Sequence, residues 1–404
     1  MIADRDFVVI SDDWNGLPTS AIHLFRMLAR RNRVFWFNAI GRLPRPTWTD
    51  AGKVLGTLGN WLASSRQADP STPQTDGVRV VSPLMIPWFK RPIRRFNLGC
   101  FLRKYRTLAS EHNVAHPIVV TTFSIAADFL AAIPDALKIY YCVDDFLDYP
   151  GVNRADWARM ESDLLSSVDG LVVTCRTLAR KRANNCPLLH LPHGVDFEHF
   201  HSAVGSGEPQ PRMESMAHPI VGFFGLLGEW VDLEIISRLS RSFPDCSFVL
   251  LGRAEIDLRP LHSLPNVHYL GWVPYQDLPR YACYFDVGLI PFVLNNLTRA
   301  VNPLKLMEYF ALGLPVLATR LPELEDLSDA LRLAVHPEEF CSALSEILHT
   351  GPEAFREEAI ACARANTWDA RAEEFSHFVE SIETNQQDEE PDPLSAVPRE
   401  ALVH

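Results

Sequence analysis

Residues 302–319 constrain the fold more than any other stretch, because a loop, a helix and a strand follow one another there with a physical reason at each turn. Asn302 is suited to cap a helix N-terminus, its side-chain oxygen accepting an orphan amide of the first turn. Pro303 suits the first helical position, where a missing N–H costs nothing. Gly313 supplies the stop. Upstream, the apolar run from Val287 to Phe292 suits a buried parallel strand, so the unit reads strand, loop, helix, strand. In such units ligands bind beyond the carboxyl ends of the strands. The free amides of the helix start, near Leu304, and the Lys305 ammonium together suit an anion such as a pyrophosphate. A lysine in the first turn opposes the helix dipole, a cost that asks for a functional reason. Glu308, one turn further, is an acceptor suited to a ribose diol.

The same alternation runs through most of the chain. Phe7 to Ser11, Val34 to Asn38, Val78 to Val81, Pro117 to Thr122, Ile139 to Val143 and Gly170 to Thr174 read as strands, with an amphipathic helix from Ala21 to Arg31 after the first. A polar segment at 201–219 interrupts the pattern and reads as a linker. Strands then restart at Ile220 to Gly225, Ser247 to Leu251, Val267 to Leu270, Val287 to Phe292 and Val316 to Thr319, with helices near 232–242, 275–284, 303–312 and 337–349. The chain of 404 residues is too long for one typical core and suits two domains of roughly 150–200 residues each. The expected fold class is therefore α/β, with two doubly wound Rossmann-like domains. They are expected at 1–200 and 220–366, followed by an amphipathic helix at 367–383 and a disordered acidic tail at 384–404. Residues 41–77, rich in Pro, Thr, Ser and Gly, read as a surface insertion.

A net charge of -12 argues against nucleic acid as a partner, since phosphate binding needs a dominant basic surface. The eight cysteines are scattered without C-x-x-C pairs or metal-ligand spacing, so no metal site and reduced, buried thiols are expected. No apolar run approaches the roughly 20 residues that span a bilayer, and the first residues lack the layout of a signal peptide. The expected location is cytoplasmic.

Residues 302–319 resemble the donor-site motif of retaining glycosyltransferases with the GT-B fold, of the family-4 kind, in the branch that reads P-x-K-x-x-E-Y-x-A-x-G-x-P-V-x-A-T. Other pieces occur in matching order. His193, Gly194, Val195 and Asp196, with Phe200, are similar to the N-G-V-D-x-x-x-F hinge motif, with His193 in place of Asn. Ile220 to Gly225 is similar to the first strand and glycine turn of the donor domain. Leu270 to Pro274 resembles an L-G-x-V-x strand end, and Thr367-Trp368-Asp369 the T-W-D opening of the closing helix. The resemblance covers most of residues 139–380. It implies two domains facing a central cleft and a C-terminal helix crossing back to the first domain. It also implies transfer of a sugar from a nucleotide-diphosphate donor with retention of configuration, to a glycan or lipid-linked acceptor, in synthesis of a surface or exported polysaccharide. No metal or cofactor is implied beyond the donor as co-substrate.

Two departures bear on the chemistry. The second Glu of the commonest family pattern falls on Ala300, and the Arg and Lys that usually neutralise the diphosphate fall on Leu226 and about Trp230. Positive charge is then expected from Lys305, with Arg253, Arg299 and Arg320 on loops facing the same cleft. Asp144 and Asp145, at the carboxyl end of the strand ending at Val143, are candidates to bind acceptor hydroxyls or act as base, or else are turn formers. Gly16, with Asp12 and Asp13, lies in the first loop, which in such folds approaches sugar and phosphate. Lys90, Arg91, Arg94 and Arg95, interleaved with Trp88, Phe89 and Phe96, suit contact with an anionic membrane face. Two other readings stay open at this level: an epimerase or hydrolase of sugar nucleotides on the same fold, and a non-catalytic nucleotide-sugar binder.

Overall fold

The computed structural model describes residues 1–39, 77–86, 91–149, 152–205, 210–325 and 327–389. Two all-parallel sheets form the framework. The first holds seven strands in the order β3-β2-β1-β4-β5-β6-β7: β1 (Asp6–Ser11), β2 (Arg33–Asn38), β3 (Val78–Val81), β4 (Ile118–Thr121), β5 (Leu137–Cys142), β6 (Gly170–Val173) and β7 (Leu188–His190). The second holds six, in the order β10-β9-β8-β11-β12-β13: β8 (Ile220–Phe224), β9 (Ser247–Leu251), β10 (Val267–Gly271), β11 (Val287–Ile290), β12 (Val316–Thr319) and β13 (Leu331–Ala334). Central strands such as β4, β8, β11 and β12 are buried along their whole length, as sheets covered on both faces require. In each sheet the strand order reverses once, between β1 and β4 and between β8 and β11, which marks the crevice where such folds take ligands.

The boundary between domains lies at the hinge motif. Leu191 packs into the first domain's core, whereas Val195, Phe197 and Phe200 pack into the second's. The expected linker at 201–219 is partly folded: the short helix Pro211–Glu214 buries Met213 completely in the second core. The closing helix starts at Trp368 and returns to the first domain, where Trp368, Phe375, Val379 and Ile382 join the cluster of Phe7 and Phe25. It runs to Glu389, so residues 384–389, expected to open a disordered tail, are helical instead. The rest of the expected tail, nearly all of the insertion at 41–77, and Lys90 with Trp88 and Phe89 lie outside the described residues.

The elements not foreseen include the helices Arg154–Leu165 and Arg176–Arg182 and the three that follow. The helix Arg91–His112 buries only Asn97, Cys100, Phe101 and Leu108, too thin a stripe to stand out. The helix Arg356–Ala365 packs on the helix Leu304–Ala311 through small residues, Ala359 and Ala363 being its buried positions. Strand β13 is a short sheet-edge strand with a mixed burial pattern.

Candidate functional site

The carboxyl ends of the two sheets bound two adjoining cavities, and the first residues of the helix Leu304–Ala311 line both. That helix begins one residue later than its sequence suggests. Pro303 occupies the N-cap position, with extended backbone. Asn302 does not cap the helix: its amide nitrogen donates to the Thr174 carbonyl of the first domain at 3.2 Å. Gly313, at φ +77, provides the expected stop.

The first cavity, of about 280 Å³, lies between the domains. Ser11 and Thr122, at the ends of β1 and β4, share a 2.8 Å hydrogen bond between their hydroxyls on one wall. Asp144, Tyr149 and His193 also line it, and from the second domain Trp230, Phe292, Asn302, Pro303, Leu304 and Lys305. Tyr149 donates its hydroxyl hydrogen to Asp144 Oδ2 at 3.1 Å, which fixes that carboxylate at the cavity wall. Asp145 is a correction to the sequence reading. It is buried and accepts from Arg182 and Lys181 at 2.6 Å each, while Arg182 also pairs with Glu161 at 3.2 Å. Burial alone would raise its carboxyl, but the hydrogen bonds from Arg182 and Lys181 hold it below the ordinary value. Asp145 therefore anchors the loop after β5 and lines neither cavity.

The second cavity, of about 200 Å³, opens at the ends of β8, β9 and β10. Phe224, Gly225, Leu251, Gly252 and Val273 line it, with Leu17 and Pro18 from the first domain and Lys305 and Glu308 from the helix Leu304–Ala311. Two glycines are required here. Gly252, at φ +138, approaches Gly225 so closely that a Cβ would stand 1.9 Å from the Gly225 carbonyl oxygen. At Gly225 a Cβ would come within 3.2 Å of the Lys305 chain.

Lys305 lines both cavities. Its ammonium lies 4.8 Å from the centre of the Phe292 ring and 5.3 Å from that of Phe223, so cation–π attraction holds it in place. Burial lowers its pKa to about 8, with Glu308 opposing the shift. Glu308 is 4% exposed; burial pushes its carboxyl up to about 7, against the attraction of Lys305 and a hydrogen bond from Tyr275. Sequence reasoning missed Phe223, Phe292 and Tyr275 as supports of the charged pair, because aromatic residues at strand ends look like core. Leu226 lines the second cavity and Trp230 the first, so apolar side chains stand where cations were missing from the motif. Ala300 is fully buried in the first domain's core cluster and reaches neither cavity.

The remaining predicted residues divide. Arg253 lines the second cavity, with an exposed side chain 4.0 Å from Glu255. Arg299 is exposed and lines neither cavity, and Arg320 faces a separate depression beside Glu325 and Asp329. Gly16 is a turn residue whose N–H donates to the Asp13 carbonyl at 2.9 Å, and it contributes to neither wall. At the hinge, a Cβ on Gly194 would meet the Trp368 nitrogen at 2.8 Å, and Asp196 accepts from the His199 N–H as a helix cap. His193 is buried beside Trp368, and burial lowers it to about 3. On the basic helix face, Arg91 and Arg95 are exposed, but both nitrogens of the Arg94 fork donate to Asp128 at 2.8 Å, which commits that residue to the first domain.

Residues 218–350 match the family model described as "Glycosyl transferases group 1". Over 227 residues the sequence is 27% identical to a protein of Bacillus subtilis (strain 168) named for teichuronic acid biosynthesis, glycosyltransferase TuaH, covering 54% of this chain and 55% of that protein. The chain thus spans about half the length of that curated relative. Among solved structures, HepE of Anabaena in complex with UDP and glucose superimposes with a TM-score of 0.64 at 14% identity, covering 93% of this chain and 99% of HepE. The α,α-trehalose 6-phosphate synthase of Burkholderia multivorans gives 0.64 at 13% identity, covering 95% and 100%. At these identities the likeness is one of fold. The chain therefore has the GT-B fold, and its second domain is the part that matches the group 1 glycosyl transferase model.

Proposed function

We propose that the protein transfers a sugar from a nucleotide-diphosphate sugar to a glycan or lipid-linked acceptor, with retention of configuration and without a metal, in synthesis of a surface or exported polysaccharide. The observation that carries this reading is the place of Lys305, which lines both cavities at their junction. A donor lying across that junction has its ribose diol at Glu308, its diphosphate at Lys305 and its sugar in the first cavity. The bond from the anomeric carbon to the diphosphate breaks there, and the new bond to an acceptor oxygen forms in the cavity lined by Asp144. Charge grows on the leaving phosphate oxygen, where a fixed ammonium in a poorly hydrated site stabilises the transition state more than the ground state. The acceptor proton leaves with that oxygen, and Asp144, held by Tyr149, orients the acceptor hydroxyl.

Retention is supported by the resemblance of residues 302–319, and polysaccharide synthesis by the name of the Bacillus relative. Work at the cytoplasmic face of a membrane is supported by eight free cysteines and by exposed Arg91 and Arg95. Among the described residues no helix is long and apolar enough to cross a membrane. The test is a thermal-shift panel of nucleoside diphosphates and nucleotide sugars, with and without a chelator. A cognate ligand at a hundred times its dissociation constant stabilises by roughly 2.7 kcal/mol. One nucleoside class should shift the melting temperature, and chelation should leave the shift unchanged. A flat panel would remove the reading.

A further inference from the structure

The two most exposed large apolar side chains among the described residues, Leu17 at 62% and Trp272 at 61%, line the same cavity from opposite domains. Each stands on a built support. The loop carrying Leu17 is tied down by the Trp14 N–H on Asn38 Oδ1 at 3.0 Å, the Asn15 N–H on Asp13 Oδ1 at 3.2 Å and the Gly16 N–H on the Asp13 carbonyl at 2.9 Å, and Trp14 itself is buried. Trp272 follows Gly271, whose positive φ of +80 turns the chain outward and whose carbonyl accepts from the Gly252 N–H at 2.7 Å. Water is therefore left on two apolar surfaces that the backbone holds in place, a cost that an occupant would relieve.

Phe224, Leu251 and Val273 give that cavity an apolar lining, and Lys305, Glu308 and Arg253 supply its charges. A ligand matching that lining combines a flat apolar ring with a diol and an anion, which is the chemistry of a nucleoside diphosphate. Resting on the donor site proposed above, we infer that Leu17 and Trp272 form a two-domain clamp on the two faces of the donor's base. A base held there bridges the two domains, so nucleotide affinity depends on a residue outside the stretch 218–350 that matches the group 1 model.

The test is calorimetric titration of the full chain with uridine, guanosine, adenosine and thymidine diphosphates, and with inorganic pyrophosphate as a probe without a base. Trp272→Ala should weaken whichever nucleoside diphosphate binds the wild type by roughly fivefold to a hundredfold, the range of one base–aromatic stack. Leu17→Ser should weaken it severalfold, and pyrophosphate should bind all variants alike. Trp272→Phe, which keeps a ring, should retain most of the affinity. The double variant should lose less than the product of the single losses, because each face works only against the other. Variants that match the wild type on nucleoside diphosphates overturn the clamp and leave the donor site standing. Equal losses on pyrophosphate also overturn it, as general damage to the site. A wild type that binds no nucleoside diphosphate removes the donor site and the clamp together.

Discussion

Glu308 and Lys305 are one helical turn apart, and the same burial drives both toward their neutral forms: the carboxyl up to about 7, the ammonium down to about 8. For Glu308 the folded pKa lies above the unfolded value of 4.5, so stability falls as pH rises from about 4.5 through 7 and the full cost is present above that range. Glu308→Gln should therefore stabilise the free protein at pH 8 by about 1–2 kcal/mol, with the gain shrinking toward pH 5. Urea unfolding of both proteins at the two pH values measures this, and a variant less stable than wild type at pH 8 would refute it. A site that costs stability when empty fits one that a diol and a diphosphate complete. The residue types of this pair were legible in the sequence because the motif fixed their spacing. Their environment was not, since Phe223, Phe292 and Tyr275 reach them from strands and loops far away in the chain.

The loop after β5 shows what can and cannot be read at the scale of an element. Asp144 and Asp145 are neighbours at one strand end, yet one lines the cavity and the other is buried on Arg182 and Lys181. No periodicity distinguishes adjacent residues leaving a strand, so the division depends on the helix Arg176–Arg182, which carries both cations. Asp145→Asn should cost on the order of 3 kcal/mol, because it leaves Arg182 buried with half its counter-charge. Asp144→Asn should leave stability within about 1 kcal/mol and slow transfer by roughly tenfold to a hundredfold, the worth of a hydrogen bond to a charged group. Chemical unfolding and initial rates separate the two, and reversed outcomes would restore Asp145 to the cleft. The buried strands were legible because parallel strands covered on both faces are continuously apolar. The helix Arg91–His112 and strand β13 were not, having too few buried positions to mark a face.

Over the whole molecule, the two crossings between domains are joined to each other. The Val195 N–H donates to the Asn366 carbonyl at 3.0 Å and the Trp368 N–H to the Val195 carbonyl at 3.2 Å, so the hinge and the start of the closing helix form one seam. His23 of the first domain stacks on Trp368 at 5.3 Å and lies 5.3 Å from Tyr275, the residue that hydrogen-bonds Glu308. Burial lowers His23 to about 3, so the ring stays neutral at the junction. The order of the motifs along the chain made this two-domain arrangement legible. The contacts that seat the domains on each other, such as Asn302 on Thr174, were not, because they join residues 128 positions apart.

In the proposed function Lys305, where the two cavities meet, stabilises the diphosphate as it leaves. The most direct measurement compares single-turnover sugar transfer with nucleoside diphosphate affinity in wild type and Lys305→Ala. Loss of one preorganised charge on the developing oxyanion should slow transfer by roughly a hundredfold to a thousandfold, with affinity falling less than about tenfold. Equal losses in rate and affinity, or a transfer rate that does not change, would remove Lys305 from that role.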